Sequence, residues 1–161
     1  MEVGYVRSMG RGPLAAELLR AADWFNDALL ERLSAAGWPP LTRNQAQVFP
    51  LLGEQGVSQS EIARRLGITR QSVNVLVADL IDADILAKTP DAADARVTVI
   101  VLTEAGQRLA SDARDILGHL ERVLADRIGA EVTDALRIGL AADWGPTVSA
   151  DSDGDHATSL P

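Results

Sequence analysis

Hydrophobic residues recur along most of this chain at spacings of three and four, with one short stretch where they run almost unbroken. Between 14 and 36, Leu18, Ala22, Phe25, Leu29 and Leu33 fall on one face and predict a long helix. Trp24 lies off that face, among Glu17, Arg20, Asp27 and Glu31, and Gly37-Trp38-Pro39-Pro40 ends the helix. A second helix starts at Thr42, which forms a capping box with Gln45. Pro50, inside the apolar run Val48 to Leu52, predicts a kink or an early end. Ser58 and Glu61 repeat the capping-box pattern ahead of a third helix that runs to about Leu66. Gly67-Ile68 is a turn, and Thr69 caps a fourth helix over about 70–83. Asp84 stands where a left-handed residue would close it.

The unbroken stretch, Val97 to Leu102, is rich in β-branched residues and predicts a strand at 97–102 paired with one at 85–90. Asp91 to Arg96 forms the hairpin tip between them. Thr103 and Gln107 flank the start of a long helix over about 104–128, with Leu109, Ala113, Ile116, Leu120, Val123 and Leu124 on its apolar face. Gly129 breaks it, and a last helix covers about 131–143. Residues 1–13 read as a flexible N-terminus, and 145–161, with almost nothing to bury, as a disordered tail. The chain has no internal repeat. The fold class is mainly α with a small β-hairpin.

Composition narrows the chemistry. The hydrophobic fraction, 47% of 161 residues, is enough for a packed core. The absence of cysteine excludes disulfides, thiolate metal sites and cysteine nucleophiles. Two histidines, His119 and His156, exclude a histidine-rich metal centre. With no nucleophile–base pair, phosphate loop or metal cluster, neither an enzyme nor a cofactor is expected. No apolar run reaches the roughly 18–20 residues of a membrane span, and Met1 to Gly12 lacks a signal peptide's apolar stretch. The expectation is a cytoplasmic protein with no membrane partner.

A net charge of -8 opposes nucleic-acid binding at first sight. The charge is uneven, however. Residues 41–103 hold Arg43, Arg64, Arg65, Arg70, Lys88 and Arg96 against seven acidic residues, leaving only -1 of the total there. A local basic face is compatible with that balance.

The segment Gln59 to Leu76 has the pattern of a helix-turn-helix. Two helices crossing steeply over a short turn need a small residue at their closest approach, a turn residue free to take positive φ, and an apolar lock. Ala63 is the small residue, Gly67 the turn, and Ile62, Leu66, Ile68, Val73 and Leu76 the lock. That leaves Arg70, Gln71, Ser72, Asn74 and Val75 on the free face of the fourth helix. The first turn of such a helix enters a DNA major groove. There Arg pairs with guanine edges, Gln and Asn pair with adenine edges, and Ser suits a phosphate or base contact. The alternative is a merely solvated polar face. In the hairpin, Lys88 adds a cation, and Asp94 and Arg96 stand two apart at the tip. A hairpin beside a helix-turn-helix can place Arg96 in the adjacent minor groove, with Asp94 holding its side chain. The alternative there is a solvated turn whose chance ion pair is worth little.

From Leu41 to Gly106 the chain resembles the MarR family of winged helix-turn-helix transcription regulators. The matching pieces are Leu41-Thr42 with Gln45, Ser58-Gln59-Ser60-Glu61-Ile62-Ala63, Leu66-Gly67-Ile68-Thr69, Leu80, Pro90-Asp91, Asp94-Ala95-Arg96 and Leu102-Thr103-Glu104-Ala105-Gly106. The flanking helices fit in number and order, so the resemblance covers about 14–143. It implies a winged helix over about 41–103 with dimerisation helices at about 14–36 and 104–143. It also implies a homodimer on a near-palindromic double-stranded DNA operator, and repression relieved by a small, often aromatic, ligand. By position, Asp94 and Arg96 become the wing-tip pair, and Arg70, Gln71, Ser72 and Asn74 face the groove. Ligands of the family sit between dimer helices and winged domain, where Trp24 and Trp38 are the candidate lining residues. The chain departs from the pattern at Ala95, where the family tip carries a first basic residue, and at Val75, Asp84 and Pro50. Fewer cations predict a shallower salt dependence, by about one unit of slope per lost phosphate contact. The competing reading is a winged-helix interaction module that has lost specific DNA binding.

Overall fold

The computed structural model describes residues 12–53 and 55–146. The expectations for the first eleven residues, for Glu54, and for the tail from 147 onward, His156 included, lie outside the described residues. The chain forms two compact units divided between Arg122 and Val123.

The first unit begins with α1, Leu14–Ala35. Leu29 and Leu33, the last turns of the predicted stripe, are buried, whereas Leu14 and Leu19 are exposed. Its end is a Schellman closure, in which the Gly37 N–H donates to Ser34 O and the Trp38 N–H to Leu33 O. Helix α2, Arg43–Ala46, opens on the expected capping box of Thr42 and Gln45. It ends early, and Pro50 sits in a single 3-10 turn, Phe49–Leu51. Gln45 is buried but satisfied, because its Oε1 accepts from the Thr42 N–H and hydroxyl and its Nε2 donates to Asp79 Oδ2 at 3.3 Å.

Helix α3, Gln59–Leu66, and helix α4, Arg70–Asp82, form the helix-turn-helix. Gly67 between them has φ 65°, the left-handed value that a Cβ-bearing residue adopts at a cost. Asp84 closes α4 at φ 57°, with the Asp84 N–H on Ile81 O and the Ile85 N–H on Leu80 O. Strand β1, Leu86–Pro90, pairs antiparallel with β2, Thr98–Leu102, in the register Leu86 to Leu102 and Pro90 to Thr98. Val57, ahead of α3, adds a bridge to β2 by exchanging both backbone bonds with Ile100.

The core joins Val48, Ile62, Val73, Val77, Leu80, Ile85, Leu86, Ile100 and Leu109. Two residues of the predicted lock, Ile62 and Val73, are fully buried in this core, and the other three lie at its edge. Leu66, Ile68 and Leu76 are half-buried, while Val77 and Leu80 are almost fully enclosed. The hairpin and the start of α5, Glu104–Ile128, cover the second half of α4, and that coverage is not visible in the helix pair alone.

The base of the wing is fastened to α5 by a short network. The Thr103 hydroxyl lies within hydrogen-bond reach of the carbonyls of Asp84 (2.6 Å) and Ile85 (3.1 Å), and its Oγ1 accepts the Gly106 N–H. Gly106 is buried against the same backbone, and a Cβ there would lie 2.1 Å from Ile85 O. In the second unit, Gly129 precedes α6, Ala130–Ala141. Val132, Leu136, Ile138 and Leu140 on α6 are exposed. No described helix is long and apolar enough to cross a membrane.

Candidate nucleic-acid interface

Helix α4 is buried on one side and free on the other. Val73, Val77 and Leu80 face the core, and Arg70, Gln71, Ser72, Asn74 and Val75 are all exposed. Thr69 starts the helix by accepting the Ser72 N–H at 3.1 Å. Its hydroxyl also meets the Ser72 hydroxyl at 2.9 Å, so Ser72 is partly engaged in the cap. The side chains of Arg70, Gln71 and Asn74 form no hydrogen bond or ion pair among the described residues.

Glu61 departs from the predicted capping box. Ser58 accepts the Glu61 N–H, but the Glu61 carboxylate does not return to the Ser58 backbone. It accepts instead from Arg64 Nε and Nη2 and from Arg65 Nε, at 2.6–2.8 Å. These bonds, Arg64 first and then Arg65, pull the Glu61 carboxyl down to about 2 although its side chain is 29% exposed. A carboxylate on the first turn of a helix meets arginines three and four residues on, which is stronger bonding than a neutral backbone N–H provides. Arg64 and Arg65, counted from the sequence as cations of a basic face, instead bind Glu61, and the Glu-x-x-Arg-Arg spacing is the signal for that pairing. Arg43 is likewise held, by Asp27 and Asp23 of α1, which raise its pKa further. Three of the six cations in the winged segment are therefore spent on neighbouring carboxylates.

Lys88 and Arg96 are the exposed wing cations, and Lys88 lies opposite Ile100 in the hairpin register. The tip is a folded turn. Asp91 Oδ1 accepts the N–H groups of Ala93 and Asp94, and the Asp91 N–H donates to Val97 O. Asp94 corrects the expectation that it steadies the Arg96 side chain. Its Oδ1 accepts the Arg96 backbone N–H at 3.0 Å, and the Arg96 guanidinium forms no ion pair among the described residues. Two residues of separation favour this Asx-type bond to the main chain, so Asp94 shapes the loop and leaves the cation free.

A second feature of the first unit is an apolar cleft of about 480 Å³. Leu29 and Leu33 of α1, Phe49 and Pro50 after α2, and Leu109 and Leu117 of α5 line it, with Arg114 at its wall. Neither aromatic candidate lines this cleft. Trp38 donates from Nε1 to Asp112 Oδ2 at 2.8 Å, which ties the end of α1 to α5. Trp24 packs edge-on against Phe25, with ring centroids 4.8 Å apart. Among the described residues no cluster of His, Asp or Glu is arranged to hold a metal.

Comparison with known proteins places this geometry. Residues 40–97 match the model of the MarR family. Over 72 residues the chain is 36% identical to the transcriptional regulator AdcR of Streptococcus pyogenes, a match covering 45% of this chain and 49% of that protein. The chain spans about half the length of the curated relatives it matches. Among solved structures it is similar to CouR from Rhodococcus jostii RHA1, bound to p-coumaroyl-CoA, with a TM-score of 0.64 and 25% identity over 84% of this chain and 94% of that one. It is also similar to S. aureus MepR in a DNA complex, with a TM-score of 0.56 over 79% and 92% of the two chains. At 23% identity the likeness to MepR shows the fold alone.

Proposed function

We propose that the chain is a sequence-specific DNA-binding transcription regulator of the MarR family, a reading supported by the match of residues 40–97 to that family's model and by the likeness to a transcriptional regulator. The observation that carries the proposal is the one-sided burial of α4. Its apolar side is spent on the core, and Arg70, Gln71, Ser72 and Asn74 stand together on the outer side at the end that enters a major groove. Arg96, free at a turn shaped by Asp91 and Asp94, serves as the wing contact, with Lys88 a second cation on strand β1 of the hairpin. MepR, which shares the fold, is solved in a DNA complex.

The functional unit is a homodimer in the cytoplasm. Leu14 and Leu19 on α1 and Val132, Leu136, Ile138 and Leu140 on α6 expose apolar surface of the kind that partners cover. A two-fold dimer spaces two copies of α4 about one DNA turn apart on a near-palindromic operator. The regulator is a repressor released by a small, partly aromatic ligand. The apolar cleft with Arg114 at its wall has the size and lining of a ligand site, and CouR is solved with p-coumaroyl-CoA. Trp24 and Trp38 lie outside that cleft, so their part in binding is to report or to brace rather than to line it.

The test is a mobility shift on DNA from the protein's own gene region across a salt series, with the oligomeric state measured by light scattering. Specific binding that weakens with salt supports the proposal. A folded dimer that fails to bind at low salt favours the interaction module instead.

A further inference from the structure

On a helix advancing about 100° per residue, the line opposite Val73, Val77 and Leu80 is marked by Gln71, Val75 and Asp82, with Ala78 about 50° from it. All four are exposed, and Val75 is 60% exposed. Asn74 flanks this row on one side, with Arg70 further round toward the buried face, and Ser72 and Asp79 flank it on the other. The outermost edge of α4 thus begins with an amide, continues with two methyl-bearing side chains and carries no cation. An isolated exposed valine is ordinary. This one is informative because of its place. The other large exposed hydrophobics lie on α1, α6 and neighbouring segments or at the wing, whereas Val75 stands alone on the helix-turn-helix.

We infer that this row reads A·T base pairs, with Gln71 on an adenine edge and Val75 against the C5-methyl of a nearby thymine; the inference rests on the DNA-binding reading above. In the major groove, thymine alone presents a methyl group, and an apolar side chain is its matching contact. Gln71 and Val75 are four residues apart, about 6 Å along the axis. That distance spans about one to two base pairs at about 3.4 Å each. A cation at position 75 would favour guanine or phosphate. Valine offers neither contact and gains only from a methyl.

The probe is a random-sequence DNA duplex library, selected with the full-length protein, after which single thymines of the enriched sequence are replaced by deoxyuridine. One thymine in each half-site, within about two base pairs of an adenine, should weaken wild-type binding about fourfold when its methyl is removed, the ratio for burying one such group. Val75→Ala should bind deoxyuridine and thymine DNA equally there. Val75→Thr, which keeps a γ-methyl, should retain discrimination, and Gln71→Ala should lose the adenine preference but keep the methyl effect. Binding to an enriched sequence with no methyl dependence overturns the inference and leaves DNA recognition standing. Undiminished discrimination by Val75→Ala assigns the methyl to another residue and also overturns it. If no sequence is enriched, the DNA-binding reading fails, and the inference with it.

Discussion

Gly106→Ala puts the wing anchor to a test whose sign is informative. Alanine is the better helix former by roughly 0.5–1 kcal/mol, so propensity alone predicts stabilisation. The tertiary structure predicts the reverse. The added Cβ would sit 2.1 Å from Ile85 O and 3.1 Å from Leu102 Cδ2. The carbonyl cannot turn aside, because it accepts the Thr103 N–H at 3.1 Å and lies within reach of the Thr103 hydroxyl. Relief requires α5 to move off the start of β1. Overpacking of this kind costs about 1–3 kcal/mol or somewhat more, and weakening the Thr103 bonds adds about 1 kcal/mol. After the propensity gain, the net loss is about 2 kcal/mol, or a fall of about 4–8 °C in Tm for a domain of this size. Thermal and urea unfolding at matched protein concentration measure it, since assembly would shift both curves. Gly67→Ala is the control. Nothing lies within 4 Å of its added Cβ, so it carries only the left-handed strain at φ 65°, about 1–2 kcal/mol. A Gly106→Ala protein as stable as wild type, or more so, would refute the packing argument.

Other outcomes follow from the charges and the cleft. The Glu61 carboxyl is depressed to about 2, so its stabilising bonds to Arg64 and Arg65 are fully present above its unfolded value. They are lost as pH falls toward 2; Glu61→Gln should therefore unfold more easily at pH 7, and the gap to wild type should close in acid, as read by urea midpoints. Arg96→Ala should weaken DNA binding for all sequences and lower the salt slope by about one unit per half-site, and an unchanged slope would remove the wing from the interface. Ala95→Arg should steepen the slope by a similar amount. Leu33→Ala should enlarge the cleft and cost about 2–5 kcal/mol, measured by chemical denaturation, because that side chain is only 2% exposed.

Local signals carried most of the winged helix. Capping residues Thr42, Ser58 and Thr69 start three helices where their side chains meet the first free N–H groups, and Gly67 and Asp84 end two where the chain turns left-handed. These are bonds between residues two to four apart, so a sequence shows them directly. Glu61 is the exception that proves local too: its carboxylate had two kinds of partner within reach, and the arginines outcompeted the backbone. Asp94 made the opposite choice, taking a main-chain N–H over the Arg96 side chain.

The candidate site divides in the same way. The free face of α4 follows from helical period, and Arg70, Gln71, Ser72 and Asn74 could be named from it. Which residues complete the core behind that face depends on the hairpin and α5 closing over Val77 and Leu80, on Val57 bridging to Ile100, and on Trp38 reaching Asp112 across 74 positions of chain. The apolar cleft is likewise assembled from α1, the segment after α2, and α5, without the tryptophans that the family resemblance suggested. Periodicity assigns each side chain to a face of its own element. Only the packed structure decides what that face meets, because long-range contacts depend on how elements are placed rather than on spacing along the chain.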